Sequence, residues 1–199
     1  MRIDTTGEMF VAWTFIHPEM YRIDLDGDGI EEAFIIDNKG SNLLPNYTLY
    51  VFSLYRELEF VDSIYSGRVE PTAEFNEEMN ATLLSVGIHQ MDSLLFLQAQ
   101  DTLIVPRKYY VYDGYDLINI SYDLYSLYMD QNNSLLSDFP NLMENGKIDC
   151  ERGDRLIGVI FTIYYNYLQA AEESSATNFL KSYQICSKFS KLKSLLDTL

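Results

Sequence analysis

The nine residues Asp24-Leu25-Asp26-Gly27-Asp28-Gly29-Ile30-Glu31-Glu32 restrict the fold of this chain more than any other segment. Three carboxylates stand on alternate residues interleaved with Leu25, Gly27 and Gly29, a composition that suits neither a helix interior nor a buried strand. The flanks, 20–25 and 32–37, are short and rich in Ile, Tyr and Phe, which predicts two strands joined as a hairpin. Side chains at positions one, three and five of such a loop converge on one point. Three aspartates held there without a cation repel one another, so the pattern predicts a hard divalent ion. Ca²⁺ suits it best, because that ion takes six to eight oxygens at roughly 2.3–2.6 Å and tolerates irregular geometry. The expected ligands are the carboxylates of Asp24, Asp26 and Asp28, the backbone carbonyl of Ile30, and Glu32, which closes the shell. Gly27 and Gly29 supply the positive φ angles of the turn, and the Ile30 side chain is expected to tuck into the core.

At these residues the chain resembles the calcium loops of FG-GAP and related VCBS-type repeats, whose pattern is DxDGDGxxD/E followed by an apolar strand. Here it reads Asp24, Asp26-Gly27-Asp28-Gly29, Glu32, then Ala33-Phe34-Ile35-Ile36. The resemblance implies a structural ion between β-strands of a propeller blade on an extracellular or secreted protein. Two candidate units cannot close a propeller, so it carries over to the loop and not to the whole fold. An EF-hand is excluded, since its position twelve would be Ile35 and its flanks would be helices. A haloacid-dehalogenase-like phosphatase is the best enzyme reading, because Ile23-Asp24-Leu25-Asp26-Gly27 looks like that family's nucleophile strand. Asp24 would attack phosphorus and Asp26 would be its acid/base. The chain departs from that family at Asp28, and no later Lys and paired-Asp segments follow in an α/β pattern.

The remaining signals describe an α+β protein. The expectation is an antiparallel β-rich body over 1–130, a polar connector over 131–150 and a helical hairpin packed on the body over 151–199. Residues 48–55 and 58–64 read as strands, the second with one face only partly apolar. Residues 93–98 and 102–105 read as buried strands, and 70–80 as a short helix with Pro71 near its start. Residues 109–112 and 115–124 form a hairpin about Asp113-Gly114. Asn132-Asn133-Ser134, Pro140 and Asn145-Gly146 mark the connector. Beyond it, Leu156, Ile160, Ile163, Tyr167 and Ala170 make one helical stripe after an Asp154 N-cap. Phe179, Tyr183, Cys186, Phe189, Leu192 and Leu196 make a second. An offset of sixty residues places Glu32 on Asp92, Phe34-Ile35-Ile36 on Leu94-Leu95-Phe96 and Tyr50-Val51-Phe52 on Tyr110-Val111-Tyr112. This is a faint repeat or a chance match of apolar strands. A second copy would lack the acidic loop, having Leu84-Ser85-Val86-Gly87-Ile88 in its place.

Charge narrows the partners. A net charge of −16 over 199 residues opposes binding to nucleic acid and favours a cation or a basic protein. The 16 tyrosines leave a glycan- or peptide-binding surface open, although alternating tyrosines along strands are most often half-buried sheet residues. No apolar run is long enough to span a membrane. Met1-Arg2-Ile3-Asp4 does not read as a signal peptide, which leaves a cytoplasmic protein or a mature secreted one. Cys150 and Cys186 either pair or stay as thiols, and their spacing makes no CxxC motif. His17 and His89, the only histidines, suit no metal or triad spacing. The expected function is a non-catalytic, calcium-stabilised binding or structural module outside the cytoplasm. The alternative is an acidic cytoplasmic inhibitor of the immunity-protein type, held to a basic partner.

Overall fold

The alternation of apolar residues along consecutive segments builds two four-stranded sheets. The computed structural model describes residues 2–3, 9–10, 15–92, 104–142, 154–182 and 194. After a short ribbon of β1 (Arg2–Ile3) and β2 (Met9–Phe10), the first sheet takes β3 (Pro18–Ile23), β4 (Glu32–Asn38), β5 (Tyr47–Ser53) and β6 (Glu59–Gly67). The second takes β7 (Thr72–Asn76), β8 (Ala81–Gly87), β9 (Arg107–Tyr112) and β10 (Leu117–Asn119). Both are antiparallel meanders in which each strand pairs with the next in sequence. Three helices follow: α1 (Tyr125–Leu142), α2 (Asp154–Gln169) and α3 (Glu173–Lys181). The fold is α+β, with a β-rich body and a helical C-terminal part.

The layers can be read from β8, which is buried on both faces. Leu84 and Val86 join Phe34, Ile36, Leu49 and Val51 of the first sheet in one core. Leu83, one residue out of phase, belongs to a larger core with Tyr109, Tyr128 and the apolar residues of α2. The order is therefore sheet, sheet, helices. α2 lies deepest: every residue from Leu156 to Asn166 is buried, so the stripe expected for it is a helix enclosed on nearly all sides.

Three expectations are corrected. The segment 70–80 is not a helix: it forms β7 and the turn into β8, with Phe75 paired to Thr82 and Ala73 to Leu84. Its glutamates favour a helix, but it has no apolar stripe at helical spacing, and the antiparallel ladder on the sheet edge outweighs propensity. The second arm of the 109–124 hairpin ends at Asn119. There the Ser121 N–H donates to Asn119 Oδ1 (3.0 Å) and the Tyr109 N–H to Ser121 Oγ (3.0 Å), which turns the chain out of the ladder.

The third correction concerns the connector. Residues 131–142 are helical, continuing α1. Leu124, Tyr128, Asn132 and Phe139 fall on one buried stripe, with Leu135 and Leu136 half-buried beside it. The stripe is that of an amphipathic helix in which one apolar position is an asparagine. The offset of sixty residues superposes β5 on β9, but the other paired strands of the two meanders do not share it. The strands expected at 93–98 and at 102–103, the residues 143–150, and the helical stripe beyond 182, including Cys150 and Cys186, lie outside the described residues.

Candidate metal centre

The loop joins the first two strands of the first meander. Ile23 and Glu32 pair across its neck, so residues 24–31 form the connection. Backbone amides shape it: the Gly27 and Gly29 N–H groups donate to the two carboxylate oxygens of Asp24 (2.7 and 2.9 Å). The Asp28 N–H donates to Asp26 Oδ1 (3.1 Å) and the Ile30 N–H to Asp28 Oδ1 (2.7 Å), two successive Asx turns. Gly27 and Gly29 have φ of 81° and 88°, the left-handed conformation in which a side chain is strained.

The outcome brings the three aspartates together. One oxygen from each of Asp24, Asp26 and Asp28 lies within 4.8 Å of the other two, a group that can hold a metal ion. Two oxygens each about 2.4 Å from one calcium ion are at most about 4.8 Å apart, so the trio fits a single coordination sphere. Asp24 and Asp26 are half-buried and Asp28 is exposed.

Glu32 lies outside that trio. It is 2 % exposed, and its Oε2 accepts the Leu25 N–H (2.9 Å). The anchor in the core is Leu25, 1 % exposed and packed with the residues between the sheets, whereas Ile30, the expected anchor, is only half-buried. Leu25 could not be distinguished by pattern, because it sits between two aspartates in the most polar stretch of the chain.

Long-range packing adds residues that sequence reasoning missed. The hairpin of the second sheet closes over the loop, and a Cβ placed on Gly114 (φ +91°) would stand 3.1 Å from Asp26 Oδ2. Between the loop, this hairpin and the start of β6 lies an open cleft of about 720 Å³. Asp26, Asp28 and Glu32 line one side, with Glu59, Phe60 and Tyr112 among the rest. Asp113-Gly114 was legible as a turn, but nothing local to it says that it meets Asp26.

Electrostatics follow from this crowding. Burial, chiefly, raises the Asp26 pKa; Asp28 and Asp24 add to the rise and the Asp28 amide opposes it. Burial also raises that of Glu32, against the Leu25 amide and with the charges of Asp26, Asp28 and Asp24. Burial raises Tyr112, with Glu32 and Asp26 contributing. A carboxyl whose folded pKa lies above its unfolded value binds protons more readily when folded, so it stabilises the fold as pH falls. In chelator, the Asp26 and Glu32 contributions are therefore expected to grow as pH falls through their raised folded values towards the ordinary carboxylate range. Below the unfolded values they are constant. Subtracting the pH profile of Asp26→Asn from that of the wild type should isolate the first of these. A bound cation should abolish the trend; a difference profile flat in chelator would contradict the crowding.

The phosphatase reading finds no support in the surroundings, because β3 leads into Asp24 as the antiparallel edge strand of its sheet rather than in an α/β pattern. The His89 ring lies tilted against Tyr65 (4.9 Å between ring centroids). Among the described residues, no helix is long and apolar enough to cross a membrane. Comparison of the chain with protein-family models, curated proteins and solved structures finds no match.

Proposed function

We propose that this protein is a non-catalytic binding or structural module whose first hairpin is stapled by one Ca²⁺ ion. The observation that carries the reading is the convergence of Asp24, Asp26 and Asp28 within one coordination sphere. Its setting supports it: the loop joins two antiparallel strands, as the FG-GAP-like pattern implies, and Leu25 ties it to the core. The Ile30 carbonyl and Glu32 complete the proposed shell, Glu32 by a shift of its side chain or through water. Calcium is favoured over magnesium because an irregular, partly exposed oxygen set suits the larger ion, while Mg²⁺ demands near-octahedral geometry. A single loop of this kind binds on the order of 10⁻⁴–10⁻³ M, which favours a working compartment outside the cytoplasm, where calcium is plentiful.

Calorimetric titration tests the proposal. One site per chain for Ca²⁺, with at least about tenfold weaker binding of Mg²⁺, is the expected result. Equal affinity for the two ions, or no Ca²⁺ binding, would overturn it. A second reading, an acidic inhibitor of a basic protein, is favoured by the net charge of −16 and by the carboxylates around the cleft. Affinity for a basic partner that falls steeply with salt, and is indifferent to chelator, would select it.

A further inference from the structure

Far from the acidic loop, on the helix-facing side of the second sheet, Arg107 stands at the start of β9 with most of its hydrogen-bonding capacity unused. Its Nη1 donates to the Glu70 carbonyl (3.2 Å) and to Ser85 Oγ (3.1 Å), both uncharged acceptors. Among the described residues, Nε and Nη2 have no hydrogen-bond partner and no carboxylate lies within ion-pair distance. Two neighbouring acceptors are tied to the helices instead. Tyr109 Oη accepts from Gln131 Nε2 (2.8 Å), and Gln131 Oε1 accepts from Asn166 Nδ2 (3.3 Å). The polar network thus runs from β9 into the helices and away from the guanidinium.

Arg107 lines a cleft of about 330 Å³ between β7, β9 and α1. Tyr109, Gln131 and Thr72 offer polar groups there, and Leu83 and Leu127 form an apolar wall. This is the size and make-up of a small-molecule site. A planar guanidinium with Nε and Nη2 unused matches the two oxygens of a carboxylate or phosphate. From this geometry we infer that the cleft is an oxyanion-binding subsite, in which Arg107 grips a small carboxylate or phosphate-bearing ligand through Nε and Nη2. Burial, the main influence on the Arg107 guanidinium, destabilises its charged form against the opposing effects of Tyr109, Glu74 and Glu70, and a bound anion would relieve more of that cost. Glu74 lines the same cleft and opposes a multiply charged ligand, so a monoanionic carboxylate is favoured over a phosphate.

The test is a titration of the full chain with acetate and, separately, inorganic phosphate, read at the Arg107 Nε–H resonance by nitrogen-edited NMR. A saturable shift with acetate assigns a carboxylate ligand, and one with phosphate assigns a phosphate ester; either supports the subsite. A shift linear in concentration for both, as for a solvated surface arginine, would overturn it. Arg107→Lys should lose the affinity about tenfold or more while keeping the charge. Because that variant also loses the tie to Glu70, Glu74→Gln supplies the independent arm. It removes the competing charge without touching Arg107, and should tighten anion binding several-fold; unchanged or weaker binding would contradict the assignment. The subsite does not depend on the calcium reading, so chelator should leave these titrations unaltered.

Discussion

Replacing Leu25 by alanine is expected to destabilise the protein by about 3 kcal/mol, within the range for emptying a buried leucine site. The side chain is 1 % exposed and packs with Phe34, Leu49 and Val51 of its own sheet and Leu84, Val86 and Tyr112 of the other. It is the loop's contribution to the core between the sheets. Its N–H is also held by Glu32, and its neighbours Asp24 and Asp26 form two-thirds of the metal trio. The cavity left by alanine would remove the wedge that sets the height of both carboxylates. Loss of calcium affinity should therefore accompany loss of stability. Denaturant unfolding in chelator and in millimolar Ca²⁺ checks both: the chelator value should fall by about 3 kcal/mol and the calcium increment should shrink. A loss under about 1 kcal/mol would show that the loop is not anchored through this residue.

The second large effect is expected at Asn132. This side chain is 0 % exposed; its Nδ2 donates to the Ile163 carbonyl (3.2 Å) and its Oδ1 accepts from Asn166 Nδ2 (3.1 Å). Asn166 is itself 1 % exposed, so the pair clasps α1 to α2 in the deepest part of the helical layer. Asn132→Ala leaves a buried carbonyl and a buried amide each short of a partner, and is expected to cost about 2–4 kcal/mol. Asn132→Asp should cost at least as much, because a carboxylate cannot donate to the Ile163 carbonyl and its charge would be buried. The denaturation midpoints of the two variants check this. An alanine variant within about 0.5 kcal/mol of the wild type would place the clasp in water.

The same asparagine explains what was and was not legible in the sequence. Along 124–139 the buried positions repeat at helical spacing, but Asn132-Asn133-Ser134 and Pro140 carry the composition of a loop. Burial of Asn132 on that stripe depends on a hydrogen bond to Asn166, thirty-four residues away, and no local pattern records such a partner. At 70–80 the failure is similar: the glutamates' helical preference yields to the ladder with β8. The hairpins were legible because their signals are local. Asp24, Asp26 and Asp28 with their glycines define the loop, and apolar strands on either side define its neck. Glu32 was recognised as part of the motif, yet its bond to the Leu25 amide is a detail of the folded hairpin, and the approach of Gly114 to Asp26 arises only once the two sheets pack.

The most direct test of the calcium staple is thermal unfolding with chelator and with Ca²⁺, on the wild type and on Asp26→Asn. Asparagine retains an oxygen that can accept the Asp28 N–H, so this substitution removes the charge and keeps the turn. Ca²⁺ at ten times Kd adds about 1.4 kcal/mol, a rise of about 3–5 °C for a chain of this size. The account predicts that rise in the wild type, little or none in Asp26→Asn, and equal or slightly higher stability of the variant in chelator. A wild type unmoved by Ca²⁺, or a variant that gains as much as the wild type, would contradict it.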